Sequence, residues 1–126
     1  ASHANARGAC FHLRNLSDEM IRQLAERGGV TGINFCPSFL REEEPAAKKA
    51  STMDMVRHMK YLRNVGGIDI IGLGTDFDGF SGETDVPDTA HMQHLADVMS
   101  HEGFTDEEIE KVFSKNVLRV FRECWK

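Results

Sequence analysis

The stretch Gly66-Gly67-Ile68-Asp69-Ile70-Ile71-Gly72-Leu73-Gly74-Thr75-Asp76-Phe77-Asp78-Gly79 decides how this chain is read. A glycine pair stops the element before it, a short and mostly apolar run follows, and a turn rich in glycine and aspartate closes it. Residues 68–73 suit a strand buried on both faces of a parallel sheet better than a half-exposed antiparallel one. The same order occurs once upstream. Gly28-Gly29 end a helical stretch, and residues 30–35 (Val-Thr-Gly-Ile-Asn-Phe) form a second short run, β-branched at three positions and apolar on both sides.

Helical segments lie between and beyond these runs. Ser17 reads as an N-cap, with Asp18 and Glu19 favouring the positive end of the helix dipole and Met20, Ile21, Leu24 and Ala25 forming one stripe. A second helix spans residues 52–65, with Met55, Val56, Met59 and Leu62 at helical spacing, and residues 37–51 read as a polar surface loop. Residues 89–101 predict a third helix. Thr105 with Glu108 forms a capping box that opens another, carrying Ile109, Val112 and Phe113, and residues 114–125 repeat the pattern. Helix, strand, helix, strand and then helices is the order of βα units around a parallel sheet, hence an α/β fold. Two strands cannot make a parallel sheet covered on both faces. Ala1-Ser2 is therefore expected to be the end of a third strand, and the chain the tail of a larger α/β domain.

Composition excludes several classes of function. Fifteen Lys plus Arg against twenty Asp plus Glu give a net charge of −5 with no basic patch, so nucleic acid is not an expected partner. No run approaches eighteen apolar residues, and no membrane association is expected. Cys10, Cys36 and Cys124 are an odd number without a C-x-x-C pair, which argues against a disulfide framework or a zinc knuckle and for a reducing, cytoplasmic setting.

In parallel α/β proteins the chemistry sits at the carboxyl ends of strands. Three places qualify: Ser2-His3 through Arg14, Asn34-Phe35, and Gly74 through Gly79. Imidazole and carboxylate at neighbouring strand ends can hold a divalent metal that activates water. On residue type alone, His3 is either such a ligand or a solvated capping residue. Asp76 and Asp78 serve chemistry or only the turn. Arg14 either clamps a carboxylate with its planar fork or decorates the surface. The turn fails the calcium-loop template, with Ser81 in place of Gly and Pro87 in place of Glu, and fails the dinucleotide fingerprint at Phe77. His91 and His94, three apart, either share a metal or line a polar helix face. No third ligand is spaced with them, so the polar face is the better reading.

Taken together, Ser2-His3-Ala4-Asn5-Ala6-Arg7, Arg14-Asn15-Leu16-Ser17-Asp18-Glu19-Met20-Ile21, Gly28-Gly29-Val30 with Gly32-Ile33-Asn34-Phe35, His58 with Tyr61, Gly67-Ile68-Asp69, the 72–79 turn and Asn116-Val117-Leu118-Arg119-Val120-Phe121 resemble consecutive motifs of the membrane dipeptidase (renal dipeptidase) family. The resemblance covers the chain apart from residues 37–51 and 81–100. It implies a (β/α)8 TIM-type barrel of the amidohydrolase kind, usually with two zinc ions bridged by a water or hydroxide that attacks the peptide bond of a dipeptide. It implies His3 as a ligand of one metal and Arg14 as the group holding the substrate's terminal carboxylate. Asp76 would lie near the substrate's amino end, both binding it and assisting proton transfer, and Asp78 stays structural.

The family's H-x-D, its metal-bridging glutamate, a second ligating histidine and a substrate-contacting histidine have no counterpart in these 126 residues and are expected upstream of Ala1. A barrel takes roughly 250 residues. Residues 1–126 are thus expected to be the C-terminal half of one metallodipeptidase barrel domain. The alternative is a non-catalytic half barrel that pairs its open sheet edge with another copy or with an N-terminal partner chain.

Overall fold

The structure, a computed structural model, describes residues 1–125. Helix α1 (Asp18–Glu26) starts where Ser17 Oγ accepts the Met20 N–H, with Asp18 and Glu19 in its first turn. Its buried stripe is narrower than the sequence suggests. Ile21 is fully buried and Leu24 and Ala25 partly so, but Met20 faces out.

Strand β1 (Thr31–Ile33) is buried along its whole length and pairs in parallel with β3 (Ile71–Leu73), in the register Thr31↔Ile71, Gly32↔Gly72 and Ile33↔Leu73. The other side of β1 receives the first residues of the chain. Ala1 N donates to Val30 O (2.9 Å), Gly32 N to Ala1 O (3.0 Å) and Ala4 N to Gly32 O (2.9 Å). That is the bonding sense of a parallel neighbour with one residue bulged.

The strand expected over residues 68–73 is only half realised, because Ile68–Ile70 form a 3-10 turn. The reason lies in the C-terminal helix. Asn116 Nδ2 donates to both Ile68 O and Ile71 O (2.8 Å each), and Arg119 Nη2 donates to Asp69 O (3.1 Å) and Gly28 O (3.1 Å). Side chains thus take carbonyls that a longer strand would have offered to a neighbour. Asn116 is itself 2% exposed, so Asn116→Ala deprives the part-buried Ile68 and buried Ile71 carbonyls of their donor and is expected to destabilise the chain by about 2 kcal/mol in urea denaturation.

Residues 37–51 are not a plain loop. Pro37 starts a one-turn helix, α2 (Pro37–Leu40), which buries Pro37 and Leu40. Strand β2 (Lys49–Ala50) pairs in parallel with β4 (Glu83–Thr84) in a second small sheet. A pair of two-residue strands has no periodicity for a sequence reading to find.

Helix α3 (Thr52–Gly66) opens on a capping box between Ser51 and Asp54 and buries Met55, Val56, His58, Met59 and Leu62. It ends at Gly67, whose φ of 89° belongs to the left-handed side of the map. Helix α4 (Met92–His101) follows a 3-10 turn at Thr89–His91. The Thr105/Glu108 capping box opens α5 (Asp106–Glu110). This helix runs through a π-helical turn, Lys111–Lys115, straight into α6 (Asn116–Cys124), so the two helices expected there are continuous. The core joins Ile33, Phe35 and Ile71 at the strands to Met55, Met59 and Leu62 of α3 and to Leu95, Met99 and Val112 beyond. Among the described residues no helix is long and apolar enough to cross a membrane.

Candidate active site

Three chain segments meet at the carboxyl ends of β1 and β3, and buried amide side chains stitch them together. Asn5 Oδ1 accepts the Asn34 N–H (2.7 Å) while Asn5 Nδ2 donates to the Asn34 carbonyl (2.9 Å). A carboxamide carries the same donor and acceptor pair as a peptide unit, so Asn5 completes the backbone of Asn34 where strand pairing stops. Asn34 in turn accepts the Cys36 N–H at Oδ1 (2.8 Å) and donates through Nδ2 to Asp76 Oδ2 (3.3 Å). Asn15 Nδ2 reaches the carbonyls of Cys10 and Phe39 (2.9 Å each), and Asn5 Nδ2 reaches that same Phe39 carbonyl at 3.4 Å. All three asparagines are at most 2% exposed. Sequence reasoning marked Asn34 only by its place at a strand end and gave Asn5 and Asn15 no separate role, since hydrophobic periodicity has no signature for a buried amide.

Asp76 and Asp78 both adopt left-handed backbone conformations, with φ of 60° and 66°. Aspartate tolerates that region better than most residues do. Gly79 N donates to the Asp76 carbonyl (2.9 Å), and a Cβ at Gly79 would lie 2.1 Å from Asp76 Oδ1. The glycine thus leaves room for the side chain it faces.

Gly74 does the same for the N-terminal segment. A Cβ there would fall 1.9 Å from Ser2 O, and one at Gly32 would fall 2.4 Å from the same atom. Two glycines on paired strands thus let Ser2-His3 close over the strand ends. His3 is half-buried, its Nδ1 2.7 Å from Ser2 Oγ. Arg14 is exposed, with its guanidinium carbon 5.2 Å from the centre of the Phe39 ring, which also meets the His12 ring in a T-shaped contact at 4.6 Å. His3, Arg14 and Asp76 therefore stand around one end of the sheet, but no hydrogen bond or ion pair joins them to one another. Asparagines and Phe39 link their segments instead. A cleft of about 590 Å³ opens alongside and is walled by Cys10, His12, Ser38, Arg41 and Glu42 rather than by these three residues.

Metal chemistry finds little here. The described residues contain no group of three or more histidine, cysteine or acidic side chains able to hold an ion. Catalytic zinc usually takes three protein ligands, so His3 alone does not fit a resident metal. His91 and His94 are each engaged by a separate carboxylate, Asp88 at 2.6 Å and Asp85 at 3.2 Å, which supports the polar-face reading.

Two further groups bear on the site. His58 is fully buried in α3. Its Nδ1 accepts the Ala6 N–H (3.2 Å), which places the ring proton on Nε2, facing Leu40 O at 3.1 Å. Burial is the main cause of a pKa pushed down to about 4. The three cysteines are free. Cys10 and Cys36 are buried against Ser38 and Cys124 is exposed, and burial, aided by Glu42, pushes the Cys10 thiol up. Under native conditions iodoacetamide is expected to modify Cys124 first and to reach the other two only on unfolding, as peptide mapping would show.

Parallel strands with their polar groups gathered at the carboxyl ends define an α/β domain of the kind that carries a strand-end site. Among solved structures, the metallopeptidase from Rhodobacter sphaeroides liganded with a phosphinate mimic of the dipeptide L-Ala-D-Ala matches with a TM-score of 0.85 and 30% identity. The match covers 92% of this chain and 33% of that one. A Klebsiella pneumoniae protein encoded in the pqqA 5′ region is 34% identical over 125 residues, covering 99% of this chain and 46% of its own length. Dipeptidase tcpJ of Claviceps purpurea is 32% identical over 123 residues, covering 97% and 28%. The chain thus spans less than half the length of each of these relatives. The family model for membrane dipeptidases, peptidase family M19, matches residues 1–125, and the chain belongs to that family.

Proposed function

We propose that this chain is the C-terminal half of a (β/α)8 dipeptidase barrel, with residues 1–126 as part of a single domain, and that it supplies the substrate-orienting and proton-handling side of the site. The observation that carries this reading is the Asp76 carboxylate, held by Asn34 at the carboxyl end of β3 in a left-handed turn. Arg14, supported on Phe39 and open to solvent, offers a planar fork to the terminal carboxylate of a dipeptide. Asp76 binds the amino end and carries a proton toward the leaving amine as water adds to the carbonyl and the C–N bond breaks.

Zinc, two ions with a bridging water, is the metal the family resemblance implies, with His3 as one ligand. His3 does not make such a centre by itself, so the other ligands belong outside these residues. Three free cysteines support a reducing, cytoplasmic setting.

The test is hydrolysis of free dipeptides against their C-terminal amides by the complete, zinc-loaded barrel that contains these residues. Free dipeptides are expected to be cleaved and amides poorly. Arg14→Gln is expected to raise KM for free dipeptides about tenfold, the loss of one charge-assisted carboxylate contact, while leaving amides nearly unchanged. Equal turnover of both substrates by the wild type would refute the role of Arg14.

A second reading is favoured by α6 and the residue that follows it, where Leu118 (45% exposed), Phe121 (45%) and Trp125 (79%) leave apolar surface uncovered and the last two rings stack at 4.9 Å. It makes the chain a non-catalytic half barrel covered by another copy or by an N-terminal partner. Light scattering decides about self-association, since a monodisperse monomer rules out pairing between copies.

A further inference from the structure

We infer that Asn34 is a positioning residue for Asp76, fixing which carboxylate oxygen stays available to exchange a proton with substrate. The inference rests on the dipeptidase reading of Asp76 and adds a residue to it.

Three observations carry it. The first concerns the orientation of the Asn34 amide. The Cys36 N–H donates to Oδ1 at 2.8 Å, so the flipped amide would oppose donor to donor, and Nδ2 must face Asp76 Oδ2. Asn34 therefore presents a donor to the carboxylate. The second is that Asn34 cannot drift. It is 1% exposed, and both backbone groups are gripped by Asn5 at 2.7 and 2.9 Å. The third is the far side of the carboxylate, where Asp76 Oδ1 occupies the notch left by the missing side chain of Gly79. One oxygen is thus engaged by Asn34, and the other has space kept for it by a glycine. A 3.3 Å bond is long for a strong interaction, and its value here is directional.

The experiment is a double-mutant cycle in the complete, metal-loaded enzyme, using Asn34→Leu and Asn34→Asp, each with and without Asp76→Asn, on a free dipeptide. Asn34→Leu removes the donor at similar volume. Asn34→Asp keeps the acceptor for the Cys36 N–H but turns a carboxylate toward Asp76. If Asn34 acts through Asp76, each single change lowers kcat about tenfold or more with KM within about twofold, and each costs less than about twofold once Asp76 is already Asn. Asn34→Asp also moves the acid-side midpoint of the pH–rate profile to higher pH, because like charges at that spacing hold a proton longer. Full kcat in Asn34→Leu, equal penalties in both backgrounds, or an unmoved profile in Asn34→Asp would each overturn the inference. If Asn34→Leu fails to fold, the profile of Asn34→Asp decides alone. A wild-type enzyme without dipeptide turnover would instead bring down the dipeptidase reading, and this inference with it.

Discussion

Asp76→Asn in the complete, zinc-loaded enzyme proposed above is expected to lower kcat for a free dipeptide by about 10²–10⁴-fold, the usual range for losing a general acid–base group. The fold should barely register the change. Asparagine has the same shape as aspartate and tolerates the same left-handed backbone, here φ 60°, and its side-chain oxygen can still accept from Asn34 Nδ2. Stability in urea is expected to change by no more than about 0.5 kcal/mol. Asp76→Ala would confuse the two effects, because alanine in that conformation adds about 1–2 kcal/mol of backbone strain. Asp78→Asn is the matched control. Asp78 shares the left-handed turn, with φ 66°, but lacks a role in the chemistry proposed here, so its variant should retain wild-type turnover. Loss of activity in both variants, or in neither, would remove Asp76 from the mechanism.

The elements that position this site were legible where the physics is local. Glycine pairs stop α1 and α3, and the runs after them carry enough apolar residues to mark buried strands, which correctly places Asn34 and Asp76 at strand ends. Capping boxes at Ser51 and Thr105 need only residues three apart, and both formed, although only the second was read from the sequence. The misreadings share another cause. Residues 68–70 looked like strand because nothing in them shows that Asn116, 48 residues away, takes the Ile68 carbonyl and Arg119, 50 residues away, that of Asp69. The contacts of the buried asparagines were invisible for the same reason, since apart from the Cys36 N–H, two residues from Asn34, the amides of Asn5, Asn15 and Asn34 meet partners 5 to 42 residues distant. His58 is the instructive middle case. It lies on the same helical face as Met55, Met59 and Leu62, and that stripe was read correctly. A histidine at i+3 in a buried stripe is a signal for a neutral, hydrogen-bonded imidazole, and the stripe already contained it.

That imidazole makes the chain sensitive to mild acid. Its pKa in the fold is about 4, below the ordinary 6.5, chiefly because burial disfavours the charged ring; the bond to Leu40 O opposes this, and Arg57 and Asp54 add lesser effects that lower and raise it in turn. The native state therefore prefers the neutral form. Above pH 6.5 neither state carries the proton and the contribution is fully present. As pH falls below 6.5 the unfolded chain takes up a proton that the native chain refuses, and stability falls until the folded group also titrates near 4. At about 1.4 kcal/mol per pH unit the loss approaches roughly 3 kcal/mol, a large share of the roughly 5–15 kcal/mol that holds a typical domain together. The carboxylates Asp88 and Glu108, whose pKa values are held below the usual range, lose their contributions only at lower pH, so the interval from 6.5 to 5 belongs to histidine.

The His91 ring is what holds the Asp88 carboxyl low, and the Thr105 backbone with Arg63 does the same for Glu108. Protonation of His58 would also put an N–H on Nδ1 against the Ala6 N–H, one residue from Asn5, so acid loosens the segment that braces Asn34. Urea denaturation at pH 7.5, 6 and 5 measures the slope. His58→Gln is expected to start less stable at pH 7.5 and to show a flattened slope between 6.5 and 5. A slope that survives intact in that variant would assign the acid sensitivity to other groups.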